Sequence, residues 1–155
     1  VVCTNTMHKV APVIEASVSI PLLHIADATA GEILQAGHSV VGLLGTRFTM
    51  EQAFYRDRLS ERHGLQVVVP DAEDRAIIHR IIYDELCLGV VRPESRLEYR
   101  RIMSKLAAQG AQAIILGCTE ITLLVGAEDS ALPLFDTTAI HARAAAERAM
   151  SESDT

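Results

Sequence analysis

Short apolar runs alternate with longer amphipathic stretches along this chain. Val40-Val41-Gly42-Leu43-Leu44 is a continuous apolar run of strand length that ends in Gly45-Thr46-Arg47. Such a run predicts a strand buried on both faces. Ala113-Ile114-Ile115-Leu116 repeats the pattern and is closed by Gly117-Cys118-Thr119-Glu120. Residues 66–69 and 132–135 predict two further strands. Residues 1–4 read as the end of another, and 21–25 as a short one. Between these runs the apolar period changes. Ile77, Ile78, Ile81, Ile82 and Leu86 fall on one side of a helix opened by Asp71 and stopped by Gly89. Pro93 opens and Gly110 closes the next helix, the expected asymmetry. Helices are also predicted over 7–17 (with Pro12 inside), over 27–36 capped by Asp27, over 50–63 ended by Gly64, and over 139–150. Residues 151–155 are expected to fray.

Strands that alternate with helices make βα units, so an α/β fold with a mainly parallel sheet is expected. In open sheets of this class ligands bind at the carboxyl ends of strands. Three strand ends carry polar motifs: Cys3-Thr4-Asn5, Gly45-Thr46-Arg47 and Cys118-Thr119-Glu120. The first and last form a weak internal echo, each a Cys-Thr pair followed by a helical pattern. A cysteine just ahead of a helix meets free N–H groups and the positive end of the dipole, which favour thiolate. The same groups, with Thr4, Asn5, Thr6 and Thr119, suit a carboxylate. One free cysteine is ordinarily a small buried hydrophobe. Two at matched junctions point to chemistry. Two opposed thiols can invert a carbon centre: one removes a proton, the other delivers one to the opposite face. Cys87 falls inside the predicted helix of 71–89 with no polar motif around it, and is read as structural.

Composition narrows the partners. The chain has 155 residues, 49% hydrophobic and 4% aromatic, with a net charge of −6. It has no basic run, so no nucleic-acid face is expected. No apolar run is long enough to span a membrane. No signal peptide is visible. Three scattered cysteines make no disulfide framework, so free thiols in the cytoplasm are the expected state. His8 and His24 with Cys3 fit no common zinc spacing, so no metal is expected. Gly42 and Gly45 do not form the dinucleotide fingerprint.

The pair Cys3-Thr4-Asn5-Thr6-Met7-His8 and Gly117-Cys118-Thr119-Glu120 resembles the motif pair of the aspartate/glutamate racemase superfamily, and the branch it is most similar to is that of aspartate/glutamate and broad-specificity amino-acid racemases. Gly42-Leu43-Leu44-Gly45-Thr46, Glu85-Leu86-Cys87-Leu88-Gly89 and Asp136-Thr137-Thr138-Ala139-Ile140-His141 fall where such an enzyme has them. The resemblance implies a homodimeric racemase that needs no pyridoxal phosphate or other cofactor, with two similar α/β lobes and a site between them. Cys3 and Cys118 are then the catalytic pair. Thr4, Asn5, Thr6, Thr46 and Thr119 hold the carboxylate and amino groups of an amino-acid substrate. Glu120 polarises the second thiol or meets the substrate ammonium. The lobes divide as residues 1–38 joined by 132–155, and residues 39–131.

Two departures from the resemblance are visible. Such enzymes have a leading segment before the first Cys motif, so the N-terminal lobe is expected to be incomplete here. Aspartate-selective relatives often place a Lys where Cys87 stands, and Arg47 is the available substitute. Two further readings belong beside the racemase: a related isomerase or decarboxylase acting on a small carboxylate, and an inactive module that binds a small acid.

Overall fold

A computed structural model of the chain describes residues 1–151. Their centre is one parallel sheet of four strands: β1 (Val40–Gly45), β2 (Gln66–Val68), β3 (Ala113–Gly117) and β4 (Leu134–Asp136). The strand order is β2-β1-β3-β4, with Val41 opposite Ala113, Gly45 opposite Gly117 and Ile114 opposite Leu134. The two continuous apolar runs take the central places, where both faces are covered, and the two short strands take the edges. The α/β class with helices on both faces of a parallel sheet is as expected from the alternation.

Side chains alternate across the sheet. Leu44, Ile114 and Leu116 pack on one face against α5 (Ala72–Asp84) and α6 (Pro93–Ala108), with Ile78, Ile81, Ile82, Tyr99, Ile102 and Leu106. Val41, Leu43, Ala113 and Ile115 pack on the other against α2 (Ile25–Gln35), with Ile25, Ala30 and Ile33. Gly42 lies on the α6 face because nothing larger fits: a Cβ there would stand 2.7 Å from Ile114 Cδ1 and 3.0 Å from Leu106 Cδ1.

Several expected elements differ. Residues 1–4 and 21–24 form no strand. No neighbouring strand is paired with them, and Pro21 has no N–H to give to a ladder. The helix expected over 7–17 is a 3-10 turn (Thr6–Val10) followed by α1 (Ala11–Ser17), with Pro12 in the first turn of α1, where a missing N–H costs nothing. The cap of α2 is His24, whose Nδ1 accepts from Ala26 N–H, rather than Asp27. Asp27 is committed elsewhere: Arg58 grips it with two bonds of 2.7 Å, and His63 Nε2–H donates to it at 2.8 Å.

The helix expected over 50–63 is broken into α3 (Arg47–Glu51), α4 (Ala53–Asp57) and a wide π turn (Arg58–Arg62), with Gln52 extended between the first two. Met50 packs with the α5/α6 core, whereas Tyr55 and Leu59 pack with the α2 core across the sheet. One straight helix cannot serve both. The long helix from Asp71 also ends early, at Asp84, and a 3-10 turn (Leu86–Leu88) leads to left-handed Gly89. Cys87 is therefore outside the helix and exposed. α7 (Thr137–Ser151) follows β4 directly and packs on α2. The fraying expected beyond Ser151 falls outside the described residues.

Candidate functional site

The carboxyl ends of β1 and β3 meet at Gly45 and Gly117. A Cβ on Gly117 would stand 2.7 Å from the Leu44 carbonyl oxygen, so this position keeps two backbones in close approach. Above this point lies a cavity of about 250 Å³. One wall is polar: Thr4, Asn5, Thr6, Thr46, Thr119 and Glu120, with Cys118 among them. The rest of the lining is Phe48, Ile82, Tyr83 and Cys87, with Gly117. Seven of the eight residues expected to form the site therefore line one cavity. Thr6 and Thr46 hydroxyls are 3.4 Å apart, and Thr46 also caps α3 through Thr49 N–H.

Cys3 is the exception. It is exposed and lines a neighbouring cavity of about 110 Å³ with Ile25, Thr138, His141 and Ala145. Thr119 lines both cavities.

Cys118 comes directly after β3. Its thiol donates to Glu120 Oε2 at 2.9 Å, and Thr119 Oγ1–H donates to the same oxygen at 2.6 Å. Burial, and then the neighbouring carboxylate, push the Cys118 thiol up to about 12. Burial also pushes Glu120 up, but the two donated hydrogen bonds outweigh it and leave the carboxylate below its ordinary range. The helix-dipole argument for a Cys118 thiolate is thus overturned. Beyond Cys118 the chain makes a single 3-10 turn (Ile121–Leu123), too short for a macrodipole, and the nearest charge is negative. Cys118 rests as a thiol, hydrogen-bonded to an ionised carboxylate.

The segment bearing Cys3 is held from below by histidines. His8 is buried, and its Nε2 accepts from Ile25 N–H at 3.2 Å. The proton must then sit on Nδ1, which donates to the Thr4 carbonyl at 2.7 Å. His24 packs against His8 with ring centroids 4.3 Å apart, and His141 stands 5.9 Å away on the other side. His141 Nε2–H donates to the Leu23 carbonyl at 2.8 Å. Burial first, then the neighbouring His8, hold His24 down at about 3, and burial likewise lowers His8. His8 is an internal brace of the first motif, not a surface residue. Among the described residues, no group of three or more His, Cys, Asp or Glu is arranged to hold a metal ion.

Sequence reasoning missed the apolar wall. Ile82 and Tyr83 sit in the last turn of α5, and Cys87 just beyond it. Two signals pointed there: the Lys that the resemblance sets where Cys87 stands, and Glu85, an acid at a position the apolar stripe would fill, which is buried and accepts from Ser95 Oγ and Arg80. Arg47, the substitute expected to grip a side-chain carboxylate, is exposed and is not among the residues of either cavity wall. Among the described residues no helix is long and apolar enough to cross a membrane.

Comparison with known proteins identifies the family. The chain is 26% identical over 142 residues to the broad specificity amino-acid racemase RacX of Bacillus subtilis (strain 168), covering 90% of this chain and 59% of that protein. A Yersinia pestis protein solved as a candidate Asp/Glu racemase is 64% identical and superposes with a TM-score of 0.92, over 96% of this chain and 64% of that one. An aspartate racemase homologue from Pyrococcus horikoshii OT3 is 38% identical with a TM-score of 0.84, over 95% and 64%. The chain thus spans about three-fifths of the length of these relatives. The family model of the Asp/Glu/Hydantoin racemases matches residues 1–145, and the chain belongs to that family.

Proposed function

We propose that the protein is a cofactor-independent amino-acid racemase that inverts the α-carbon by two-base proton transfer between Cys118 and Cys3. The observation that carries this reading is the Cys118–Glu120 pair in a cavity lined with hydroxyls. A thiol held as a donor is a proton source for one face of a carbanion. In the reverse direction Glu120 takes the thiol proton, and the thiolate so formed removes the α-proton. Cys3 does the same from the opposite face. Thr119 lines both the cavity that holds Cys118 and the one that holds Cys3, and this shared boundary supports a substrate bound beside it between the two thiols. Thr4, Thr6 and Thr46 offer hydroxyls to the substrate carboxylate, and fixed dipoles there carry the negative charge that builds up beside it. The Thr119 hydroxyl hydrogen is instead given to Glu120. The lobe division at residues 38 and 132, the homodimer and the cytoplasmic location belong to the same proposal and rest on the resemblance.

The test is α-proton exchange in D₂O followed by NMR, with aspartate, glutamate, homoserine and neutral amino acids. The expected result is loss of the α-proton signal together with appearance of the other enantiomer. A folded protein that exchanges none of them would defeat the proposal.

A second reading has one observation in its favour. Cys3 lies exposed in a separate cavity. A module that binds a small acid without turnover has this arrangement at rest. It predicts binding of the same amino acids with no exchange.

A further inference from the structure

Thr137 opens α7 directly after β4 and is fully buried. Its hydroxyl has one hydrogen, and that hydrogen goes to the Leu116 carbonyl at 2.9 Å, two residues ahead of Cys118. Its oxygen is thereby left to accept, and it accepts from Asn5 Nδ2 at 3.0 Å. The orientation of a carboxamide is set by its hydrogen-bond partners. If the Asn5 amide were reversed, its Oδ1 would face an oxygen with no hydrogen left to give. The network therefore fixes which end of Asn5 is which, across 132 residues of sequence.

The consequence falls on Oδ1. Asn5 is 3% exposed, and its Oδ1 is buried with no donor. Native proteins leave few buried acceptors unmet, and one that persists calls for a reason. Asn5 lies between Thr4 and Thr6 on the polar wall of the main cavity. We propose that Thr137 is a positioning residue that presets the Asn5 carboxamide so that Oδ1 accepts an N–H of the substrate's α-ammonium. This rests on the amino-acid reading of the cavity. Oδ1 is closed to solvent, so the proposed contact requires a shift of residues 3–6 that admits the ammonium. The arrangement selects substrates with a free amino group over carboxylates that lack one.

The experiment compares binding of L-aspartate, L-glutamate and L-homoserine with succinate, glutarate and 4-hydroxybutanoate in the wild type, Thr137→Val and Thr137→Ser. The wild type is expected to favour an amino acid over its desamino partner by about ten-fold or more, the scale of one hydrogen bond to a charged group. Thr137→Val brings that ratio toward one and raises KM more than it lowers kcat. Thr137→Ser, which keeps the hydroxyl, restores both. If the valine variant does not fold, Asn5→Leu removes the same oxygen and is expected to give the same collapse of the ratio. An unchanged ratio in a folded Thr137→Val or Asn5→Leu protein overturns the proposal, as does a serine variant that behaves like valine.

A ligand-free measurement separates this inference from the functional reading. In ¹⁵N-labelled protein, an Nδ2 proton of Asn5 should exchange slowly with water and lose that protection in Thr137→Val. A protected Asn5 signal that is indifferent to Thr137→Val overturns the positioning role. Absence of binding by every amino acid, with the Asn5 signal behaving as expected, overturns the amino-acid reading and the ammonium contact with it.

Discussion

The two cysteines that share a motif sit on opposite kinds of support. Cys118 succeeds a fully buried central strand, and its thiol is oriented by Glu120 two residues on. Cys3 lies in an irregular segment, exposed, and is held only through its neighbours: Thr4 by His8, and Asn5 by Thr137. A side chain on a rigid strand end is preorganised, whereas one on a loop is placed by whatever braces the loop. The difference predicts that the Cys118 half of the site tolerates little change of its own residues. The Cys3 half should be sensitive at a distance, through His8, His24 and Thr137.

The largest expected effect comes from removing either thiol. Cys3→Ala and Cys118→Ala should each lower racemisation by about 10³-fold or more, the scale on which proton-transfer groups act. Full activity in either variant sinks the two-base mechanism. The pair should also differ chemically. Iodoacetamide at mild alkaline pH should modify exposed Cys3 well before Cys118, which burial and Glu120 keep protonated. Mass spectrometry of the alkylated peptides gives the order, and modification of Cys118 first would contradict this contrast between the halves.

Glu120→Gln comes next and addresses the Cys118 half alone. The carboxylate raises the thiol's pKa, so its removal should shift alkylation of Cys118 to lower pH. Racemisation should fall by about 10²-fold, because the thiol loses the group that takes its proton. A fall in activity without a shift in the alkylation profile would mean that Glu120 serves folding or substrate contact instead.

How much of this was legible in the sequence obeys the same divide. β1, β3, α5 and α6 were readable because their side chains answer to one sheet: an unbroken apolar run for strands covered on both faces, one apolar stripe for the helices. The motifs at the ends of β1 and β3 could be placed for that reason. The opening segment was misread as strand because Val1-Val2 and Leu22-Leu23 look apolar, and apolarity alone cannot say whether a partner strand is present. The capping role of His24 and the relay from Asn5 to Leu116 depend on contacts between residues far apart, which no local pattern encodes. Cys87 was misplaced for a related reason. The apolar stripe runs through to Leu86, but Glu85 is buried by bonds to Ser95 and Arg80, and the helix gives way there.

The brace under the Cys3 half should show in pH. His24 is held at about 3 in the folded chain, below the value near 6.5 expected when unfolded. Between those values the unfolded chain binds more protons. The stability from a neutral His24 is complete above pH 6.5 and is lost progressively as pH falls toward 3. Lowered His8 acts in the same direction. From pH 7 to 5 ordinary carboxylates stay ionised in both states, so this window belongs to the histidines. The melting temperature should drop by several degrees over it. His24→Asn, which keeps an acceptor for Ala26 N–H, should weaken that dependence at little cost at pH 7. An unaltered dependence would remove His24 from the brace.

The smallest effect is expected at Cys87, and it tests the less polar lining of the cavity rather than either half. Cys87 is exposed on a turn beyond α5, and partial loss of solvent around its thiol, then the charge of Glu120, hold that thiol up, so it is neither a ready nucleophile nor a core residue. Cys87→Ser preserves its size and should leave kcat within about two-fold, because Cys87 lies on neither motif of the proposed proton-transfer pair. KM should move more than kcat, and unequally among substrates, since Phe48, Ile82, Tyr83 and Cys87 form the less polar part of the cavity lining. Steady-state kinetics on aspartate, homoserine and a neutral amino acid measures this directly. A loss of kcat as deep as that of Cys118→Ala would make Cys87 a third participant in proton transfer and end the assignment of the chemistry to Cys3 and Cys118.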